Sequence, residues 1–453
     1  MHHARWSTIV VLVTLGAFCV SLPGCMGFGY SPARDIVVLK LGGDGTQEWT
    51  RTIDRAPYDA GQDMAELAEG ELVIVGQNGT SWRSPGSARV IRLLSDGKVI
   101  ADRTSAGGFS RPRAVVADPD GGFTTLMQNG ELTRFDRSGA AIWTCTTAMW
   151  EASSLTWLRD GGYLVGGYSP FQVWATNDSS VTGEQTIPQP VITAATWRGS
   201  TASLEDATPL DARITTLPTG ARNRPTTAPT VAIPSYTPST IEMRAQAVRY
   251  SPAGTLVWQR TYATGITAVW SAFEDPVDGT LLLAGPGPDT GRDYTVDLGM
   301  LHTDRDGVAG ALVPLGQVEY HGSVQMRAVS DGIEVIASTK SAADPHPAFG
   351  VTSTILDPAG RVIAELALNA SRVFNGTSDG GYVSVGVPVG SGVSGYGSEV
   401  FLGPNGYTGF HALRFDAAGT LVWDRPLSIG SIQEVKRVIQ TADGGYAILA
   451  MSQ

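Results

Sequence analysis

Cysteine and positive charge are both scarce in this sequence of 453 residues. Of its three cysteines, Cys19 lies in an apolar stretch that we expect to be removed, so an internal disulfide would have to join Cys25 to Cys145. This excludes a small disulfide-stapled scaffold. Lysine and arginine total 32 against 43 acidic residues, a net charge of -11. No basic stripe is available to neutralise phosphates, which argues against nucleic acid and anionic membrane surfaces as partners.

Long hydrophobic runs are absent except at the N-terminus. Residues 8–22 are apolar and follow Arg5, and this stretch is too short to span a bilayer comfortably. Its length and its flanking residues are those of a secretory signal peptide. We therefore expect residues 1–24 to be cleaved and the mature protein to be exported.

Residues 22–25, Leu-Pro-Gly-Cys, resemble the lipobox of bacterial lipoproteins, although Pro23 departs from the usual small residue. The resemblance implies a diacylglycerol on Cys25 followed by N-acylation with a fatty acid such as palmitate. Residues 25–34 would then form a tether to the cell membrane or the outer membrane, with the protein facing the periplasm or the cell exterior. The alternatives are simple secretion and an incidental cysteine at the end of the signal.

Several motifs that carry chemistry are also absent. The sequence lacks His-Glu-x-x-His, Cys-x-x-Cys and the phosphate-binding loop. Asp118–Gly121 and Asp304–Gly307 begin like calcium loops but lack the remaining ligands, which favours tight turns. We expect no catalytic residues, no metal site and no cofactor. The histidines that remain after cleavage are scattered: His302, His321, His346 and His411.

Glycine and proline are abundant, with 55 and 26 copies, and they separate short runs of β-formers. One pattern is a strand, a Gly turn, and a second strand with Trp or Ala four residues after the Gly. It recurs at Gly45–Trp49, Gly97–Ala101, Gly139–Trp143, Gly254–Trp258, Gly307–Ala311, Gly360–Ala364 and Gly419–Trp423. Each copy predicts one β-hairpin.

A second pattern alternates with the first and is centred on an Asp-Gly pair between two β-rich runs. We expect type I′ turns here, in which both central residues have positive φ. The copies are Asp120-Gly121, Asp160-Gly161, Asp278-Gly279, Asp331-Gly332, Asp379-Gly380 and Asp443-Gly444, with Glu69-Gly70 as a degenerate first copy. Two hairpins of the two kinds make a four-stranded unit.

Seven such units match radial repetition about an axis. The Asp-Gly-Gly-Tyr copies at 160–163, 379–382 and 443–446, with the Gly-x-x-x-Trp turns, resemble the β-propeller repeat superfamily, in the form found in microbial exported and surface lipoproteins. The resemblance covers residues 35–453 and implies an all-β, seven-bladed β-propeller of four-stranded blades. It identifies no activity.

The order of the hairpins predicts how the ring closes. The chain starts at Asp35 with a Gly-Trp hairpin and ends at Gln453 with an Asp-Gly hairpin, so neither has a sequential partner. We expect the two to share the last blade, which removes an open edge. One segment, 170–243, is rich in Pro, Ser and Thr, and we interpret it as a largely unstructured loop inserted in the propeller.

We consider first a membrane-anchored binding or scaffolding module for a protein or carbohydrate ligand, or more narrowly a structural subunit of an envelope machine. The alternative is an exported hydrolase, lyase or quinone-type dehydrogenase with its site at the axis. Every long connection should lie on one face of the propeller, where recognition usually resides, with the tether elsewhere or flexible. Candidate binding aromatics on this face are Trp82, Trp150, Trp270, Tyr396 and Tyr407.

Overall fold

The computed structural model describes residues 34–79, 86–105, 111–175, 182–186, 237–263, 265–288, 295–319, 324–340, 349–358, 360–368, 373–386, 409–427 and 432–452. These residues are almost entirely β-strand, with strands β1 to β29 in chain order and one short 3₁₀ turn at Ala68–Gly70. The strands group into seven antiparallel blades, each of four main strands.

The first three blades follow one another along the chain. Blade 1 contains β3 (Tyr58–Glu66), β4 (Leu72–Gly79), β5 (Ser87–Leu93) and β6 (Val99–Thr104). Blade 2 contains β7 (Pro112–Ala117), β8 (Phe123–Met127), β9 (Glu131–Phe135) and β10 (Ala141–Thr146). Blade 3 contains β11 (Glu151–Trp157), β12 (Tyr163–Ala175), β14 (Thr237–Tyr250) and β15 (Leu256–Tyr262), with β13 (Thr182–Thr186) added beside β12.

Blades 4 and 5 are joined by a single pairing of Val318 with Thr339. Blade 4 contains β16 (Ser271–Glu274), β17 (Leu281–Pro286), β18 (Thr295–Thr303) and β19 (Ala309–Glu319). Blade 5 contains β20 (Val324–Val329), β21 (Gly332–Lys340), β22 (Phe349–Leu356) and β23 (Val362–Leu368). Blade 6 contains β24 (Val373–Gly376), β25 (Tyr382–Gly386), β26 (His411–Phe415) and β27 (Leu421–Pro426).

Blade 7 is shared by the two ends of the described chain, as predicted. Its order is β28 (Ile432–Gln440), β29 (Tyr446–Ser452), β1 (Asp35–Leu41) and β2 (Gln47–Ile53). Strands β1 and β29 pair over seven residues, from Asp35 with Ser452 to Leu41 with Tyr446. The N-terminal hairpin therefore supplies the outer two strands and the C-terminal hairpin the inner two.

The first strand of every blade lies at the inner edge of its sheet and contacts the first strand of the next blade. Between blades 5 and 6 this contact includes a hydrogen bond of 2.6 Å from Gln325 Nε2 to Phe374 O. The blades thus close into a ring, and the predicted seven-bladed β-propeller is confirmed. The apolar core lies between neighbouring blades, as where Ile36 and Leu449 of blade 7 pack with Ile74 of blade 1. Middle strands are buried on both faces, and outermost strands are largely exposed.

The Asp-Gly turns differ from the prediction. At Asp120-Gly121 only the glycine has positive φ, and Gly121 N donates to Asp118 O at 3.0 Å. This is a type I turn followed by a left-handed glycine, not a type I′ turn. The preceding aspartate is favoured because Asp120 Oδ1 accepts a hydrogen bond from Gly122 N at 3.1 Å. Both central residues have positive φ at the degenerate copy, Glu69-Gly70.

The tryptophan of the first motif joins its blade to the next one. In each case the indole Nε1 donates to a backbone carbonyl in the Gly turn of the following blade: Trp49 to Ser95 (2.8 Å), Trp143 to Pro252 (3.1 Å), Trp258 to Arg305 (3.0 Å) and Trp423 to Gly43 (3.2 Å). The ring also lies against that turn's glycine, so that a Cβ on Gly97 would stand 2.8 Å from Trp49 Cε3. These tryptophans therefore pack one blade against the next.

The two ends of the predicted insertion belong to strands. Strands β12 and β14 pair without interruption of the sheet from Tyr163 with Tyr250 to Ala175 with Thr237, with one register shift near the far end. The middle strands of blade 3 are therefore longer than those of the other blades. The remainder of the segment, 176–181 and 187–236, lies outside the described residues.

Candidate functional site

The two faces of the propeller differ in the connections that they carry. In an up-and-down blade, the turns inside the two hairpins lie at one end of the strands, and the connections between hairpins lie at the other. The described turns of the first set are short, such as 42–46 and 118–122. The second set forms the long-connection face.

The chain enters the propeller on this long-connection face, because Asp35 pairs with Ser452 at the end of β29 that lies opposite its Asp-Gly turn. The preceding residue, Arg34, bridges to Tyr58 at the start of β3. Residues 25–33 of the expected tether lie outside the described residues.

Four consecutive blades carry a β-bulge at one register of their innermost strand. The fourth residue of the second strand pairs with Arg437, Asp63, Ala114 and Ser154 in blades 7, 1, 2 and 3, and the residue before each of these is left out of the ladder. The bulged residues are Lys436, Gln62, Arg113 and Ser153. Bulges redirect side chains and are frequent at barrel rims and next to binding sites.

In blade 4 the same register falls on Trp270, which precedes the pair of Ser271 with Ala284. In blade 5 it falls on Val324, which precedes the pair of Gln325 with Ile336. The equivalent residue of blade 6 lies outside the described residues. All six described side chains are partly exposed. Together they form the axial ring: Lys436, Gln62, Arg113, Ser153, Trp270 and Val324.

Direct contacts connect the blades at the level of the axial ring. Asp63 Oδ1 lies 3.3 Å from Arg437 Nε of blade 7, and Asp63 Oδ2 accepts a hydrogen bond of 2.9 Å from Val115 N of blade 2. Arg113 of blade 2 forms an ion pair with Glu151 of blade 3. These contacts make the inner strands of blades 7, 1, 2 and 3 one continuous polar arc.

The ion pairs of the arc expose their cations more than their carboxylates. The Arg437 side chain is 38% exposed against 15% for Asp63, and Arg113 is 36% exposed against 21% for Glu151. Glu434 is 2% exposed and pairs with both Lys436 and Arg34, at 21% and 18%. Four cations thus stand over three carboxylates, in a chain whose net charge is -11.

Asp63 is the titratable group of the arc with a displaced pKa. Burial raises the pKa of Asp63, whereas the Arg437 guanidinium and the Val115 N–H act in the opposite direction. Desolvation is the larger effect because the carboxylate lies between two inner strands. Both Asp63 oxygens are already engaged, so the group holds Arg437 in position.

Two of the predicted binding aromatics lie within the described structure. Trp150 is 38% exposed on the connection before β11, and its backbone N–H donates to Ser169 Oγ at 2.9 Å. Trp270 belongs to the axial ring and packs against a buried cluster that includes Leu298 and Val318. Both tryptophans lie beside strand β12. Ser169, the partner of Trp150 N, belongs to this strand, and Val269, the residue before Trp270, donates its N–H to Gly167 O of the same strand at 3.1 Å. Cys25, Trp82, Tyr396 and Tyr407 lie outside the described residues.

The described histidines are not brought together. His302 lies in blade 4, where burial lowers its pKa, and His411 pairs with Asp424 in blade 6 at 2.5 Å. No group of three or more His, Cys, Asp or Glu side chains within the described ranges is arranged to hold a metal ion. The same ranges contain no helix of a length and hydropathy that could cross a membrane.

Comparisons with known proteins assign this chain to no family. No protein-family model matches the chain, and no curated protein matches it. A solved protein from Lactobacillus plantarum is 10% identical, covers 88% of this chain and 97% of its own, and has a TM-score of 0.43. The WD40 β-propeller domain of Doa1 is 11% identical with coverages of 87% and 93% and a TM-score of 0.47. BamB from Moraxella catarrhalis is 11% identical with coverages of 90% and 88% and a TM-score of 0.36.

Proposed function

We propose that the protein is an exported, lipid-anchored binding module that receives a ligand or partner at the axial end of its long-connection face. The observation that carries this proposal is the axial ring. Four neighbouring blades interrupt their ladders at one register, and three of the redirected side chains, Lys436, Gln62 and Arg113, are charged or carry an amide. Bulges at one register of four neighbouring innermost strands place these four side chains at the same level, which favours a recognition role.

The signature motifs are not available for this role, because they hold the ring together. The tryptophans of the Gly-x-x-x-Trp turns are hydrogen-bonded to the next blade, as with Trp258 and Arg305. Four aspartates of the Asp-Gly turns pair with cations in their own blade: Asp120, Asp160, Asp379 and Asp443. Recognition is therefore left to the axial ring and to the long connections.

Anchoring rests on the lipobox-like residues 22–25. Cys25 carries the lipid, and the tether of residues 25–34 joins the propeller at Asp35, on the long-connection face. Nine or ten extended residues span at most about 30 Å, so this face remains close to the membrane. Cys25→Ser should move the protein from the membrane fraction to the soluble fraction, and intact-mass analysis should lose the acyl mass. Unchanged membrane association of Cys25→Ser would contradict the anchor.

Photo-crosslinking tests the binding role. A photo-reactive amino acid at position 150, on the long-connection face, should give a discrete adduct in the cells that produce the protein. The matched control is position 277, since Val277 is 90% exposed in the turn between β16 and β17, on the opposite face. Equal adducts at both positions, or an adduct at 277 alone, would refute the assignment of the face.

The alternative is an exported enzyme with its site at the axis. It is favoured by the raised pKa of Asp63, since displaced carboxyl pKa values are frequent in active sites. The binding role agrees better with the engagement of both Asp63 oxygens by Arg437 and Val115. Turnover of a bound ligand that is abolished by Asp63→Asn would favour the enzyme.

A further inference from the structure

We infer that the axial ring binds a carboxylate-bearing ligand, in the part of the polar arc that belongs to blades 7, 1 and 2. This inference rests on the proposed function and names the chemistry of its ligand. It depends on the surplus of cations in the arc, on their greater exposure, and on the donors that they leave free. Each of these features belongs to described side chains.

The charge of the arc is opposite to that of the chain. Arg34 and Lys436 share the single carboxylate of Glu434, whereas Arg437 and Arg113 each have one. Among the described ion pairs of the arc, four cations therefore face three carboxylates. A cationic site in an acidic protein attracts anions locally while the remaining surface repels them, which makes the arc the favoured landing point for an anionic ligand.

The cations are held in place by carboxylates that lie beneath them. Glu434 is almost fully buried, and Asp63 is tied to the backbone of β7 through Val115 N. Positions fixed before binding reduce the conformational entropy that a long side chain loses when it meets a ligand. The arc is thus organised to receive an anion without rearrangement.

Free donors remain on the exposed side. Arg437 meets Asp63 through Nε in an ion pair of 3.3 Å that is not a hydrogen bond, and its Nη groups make no hydrogen bond to another described residue. Arg113 binds Glu151 through Nη2. Its Nη1 makes no hydrogen bond to another described residue and can therefore donate to a ligand. Guanidinium groups with two free N–H vectors suit the planar geometry of a carboxylate.

Neutral polar groups accompany the cations. Gln62 lies between Lys436 and Arg113 in the axial ring, and its amide makes no hydrogen bond to another described residue. Ser153 Oγ donates to Val269 O at 2.5 Å and keeps its lone pairs to accept a hydrogen bond from a ligand. A ligand with hydroxyl groups beside its carboxylate, such as a hydroxy acid or an acidic sugar, can accept from the Gln62 amide and donate to Ser153.

The test is isothermal titration of the purified protein with two acids and one neutral control. Citrate represents a free hydroxy acid, trigalacturonate an acidic sugar chain, and maltotriose a neutral sugar of similar size to the latter. We expect at least one acid to bind and maltotriose not to bind at millimolar concentration, with an affinity that falls as salt is added. Binding of citrate alone or of trigalacturonate identifies the source of the carboxylate, and either result supports the inference.

Three variants locate the site. Arg437→Gln and Lys436→Gln should each weaken acid binding by about tenfold, as expected for loss of one charge-assisted hydrogen bond. Arg361→Gln is the matched control, because Arg361 is 81% exposed in a turn on the opposite face, where it pairs with Asp357. Lys436→Gln leaves the pair of Arg437 and Asp63 intact, so it reports on binding even if Arg437→Gln lowers the melting temperature.

Several outcomes would overturn the inference. These are failure of both acids to bind, equal binding of maltotriose, and equal effects of the Arg361 and Arg437 variants. If the acids fail while crosslinking at position 150 succeeds, the chemistry assigned to the ligand is wrong and the binding role stands. If the acids bind at the arc while crosslinking fails, the ligand is a small molecule and no macromolecular partner occupies the face.

Discussion

The contact between Trp49 and Gly97 gives a quantitative test of what holds the blades together. Gly97 has φ of 80°, and a Cβ added to it would stand 2.8, 2.9 and 3.1 Å from three atoms of the Trp49 indole. Gly97→Ala should therefore cost a left-handed backbone penalty of about 1 kcal/mol, and an overpacking penalty of about 2 kcal/mol. The total is about 3 kcal/mol.

Gly444 supplies the control. Its φ is 82°, nearly that of Gly97, and no atom lies within 4 Å of a Cβ added to it. Gly444→Ala should cost only the backbone penalty of about 1 kcal/mol. The difference between the two glycines isolates the contact with the tryptophan of the preceding blade.

A double-mutant cycle in urea, followed by circular dichroism, completes the test. Trp49→Ala should destabilise by itself, because it removes a large aromatic side chain and its hydrogen bond to Ser95 O. In that background the added cost of Gly97→Ala should fall to that of Gly444→Ala, a coupling of about 2 kcal/mol. The account is refuted if Gly97→Ala costs no more than Gly444→Ala, or if Trp49→Ala leaves its cost unchanged.

Three further predictions concern closure and buried charge. Deleting residues 434–453 should abolish cooperative unfolding, because it removes the inner half of blade 7, whereas deleting 176–236 should lower the melting temperature only slightly; the opposite ranking would contradict the shared blade. Arg89→Met should destabilise by about 3–5 kcal/mol, because it leaves a fully buried carboxylate partner uncompensated, and a urea midpoint near that of the unmodified protein would contradict this. Partial burial raises and the Lys40 ammonium lowers the pKa of Asp443, to a net value of about 2, so this pair should stabilise the fold above pH 4 and be lost as the pH falls toward 2. Melting curves of Asp443→Asn should therefore differ from those of the unmodified protein at neutral pH and converge with them in acid, and a constant difference would refute the assignment.

The architecture was accessible from the sequence because each hairpin carries its own turn signal. Glycines such as Gly121 and Gly139 mark the turns through their positive φ, and the runs between them have the length of one strand. The turn type was not accessible, because an Asp-Gly pair fits a type I′ turn and a type I turn with a left-handed glycine equally well. The choice between these two turn types depends on whether the loop contains one additional residue. The side chains of the Asp-Gly pair do not specify the length of the loop.

The axial ring was missed, although a signal for it exists. Its residues stand at a constant spacing before the Asp-Gly turns: Arg113 before Asp120, Ser153 before Asp160 and Lys436 before Asp443. The residue types at this position differ from blade to blade, so no motif marks it. Only the pairing register reveals that the ladder skips these residues at the same level of the innermost strands.

The candidate aromatics show the opposite limitation. Trp150 and Trp270 are predicted to lie near blade junctions on the long-connection face, and both lie beside β12. Sequence position does not report burial, however, and Trp270 packs against the cluster of Leu298 and Val318 while Trp150 remains exposed. Of the two, Trp150 is the better candidate for contact with a partner on the long-connection face.

The most direct measurement of the central claim is a crystal structure of the protein soaked with the acid that binds in titration. The account predicts a carboxylate within hydrogen-bond distance of Arg437 Nη and next to Lys436 and Gln62, between the inner strands of blades 7, 1 and 2. A ligand bound at the turns of the opposite face, or among the outer strands, would contradict it.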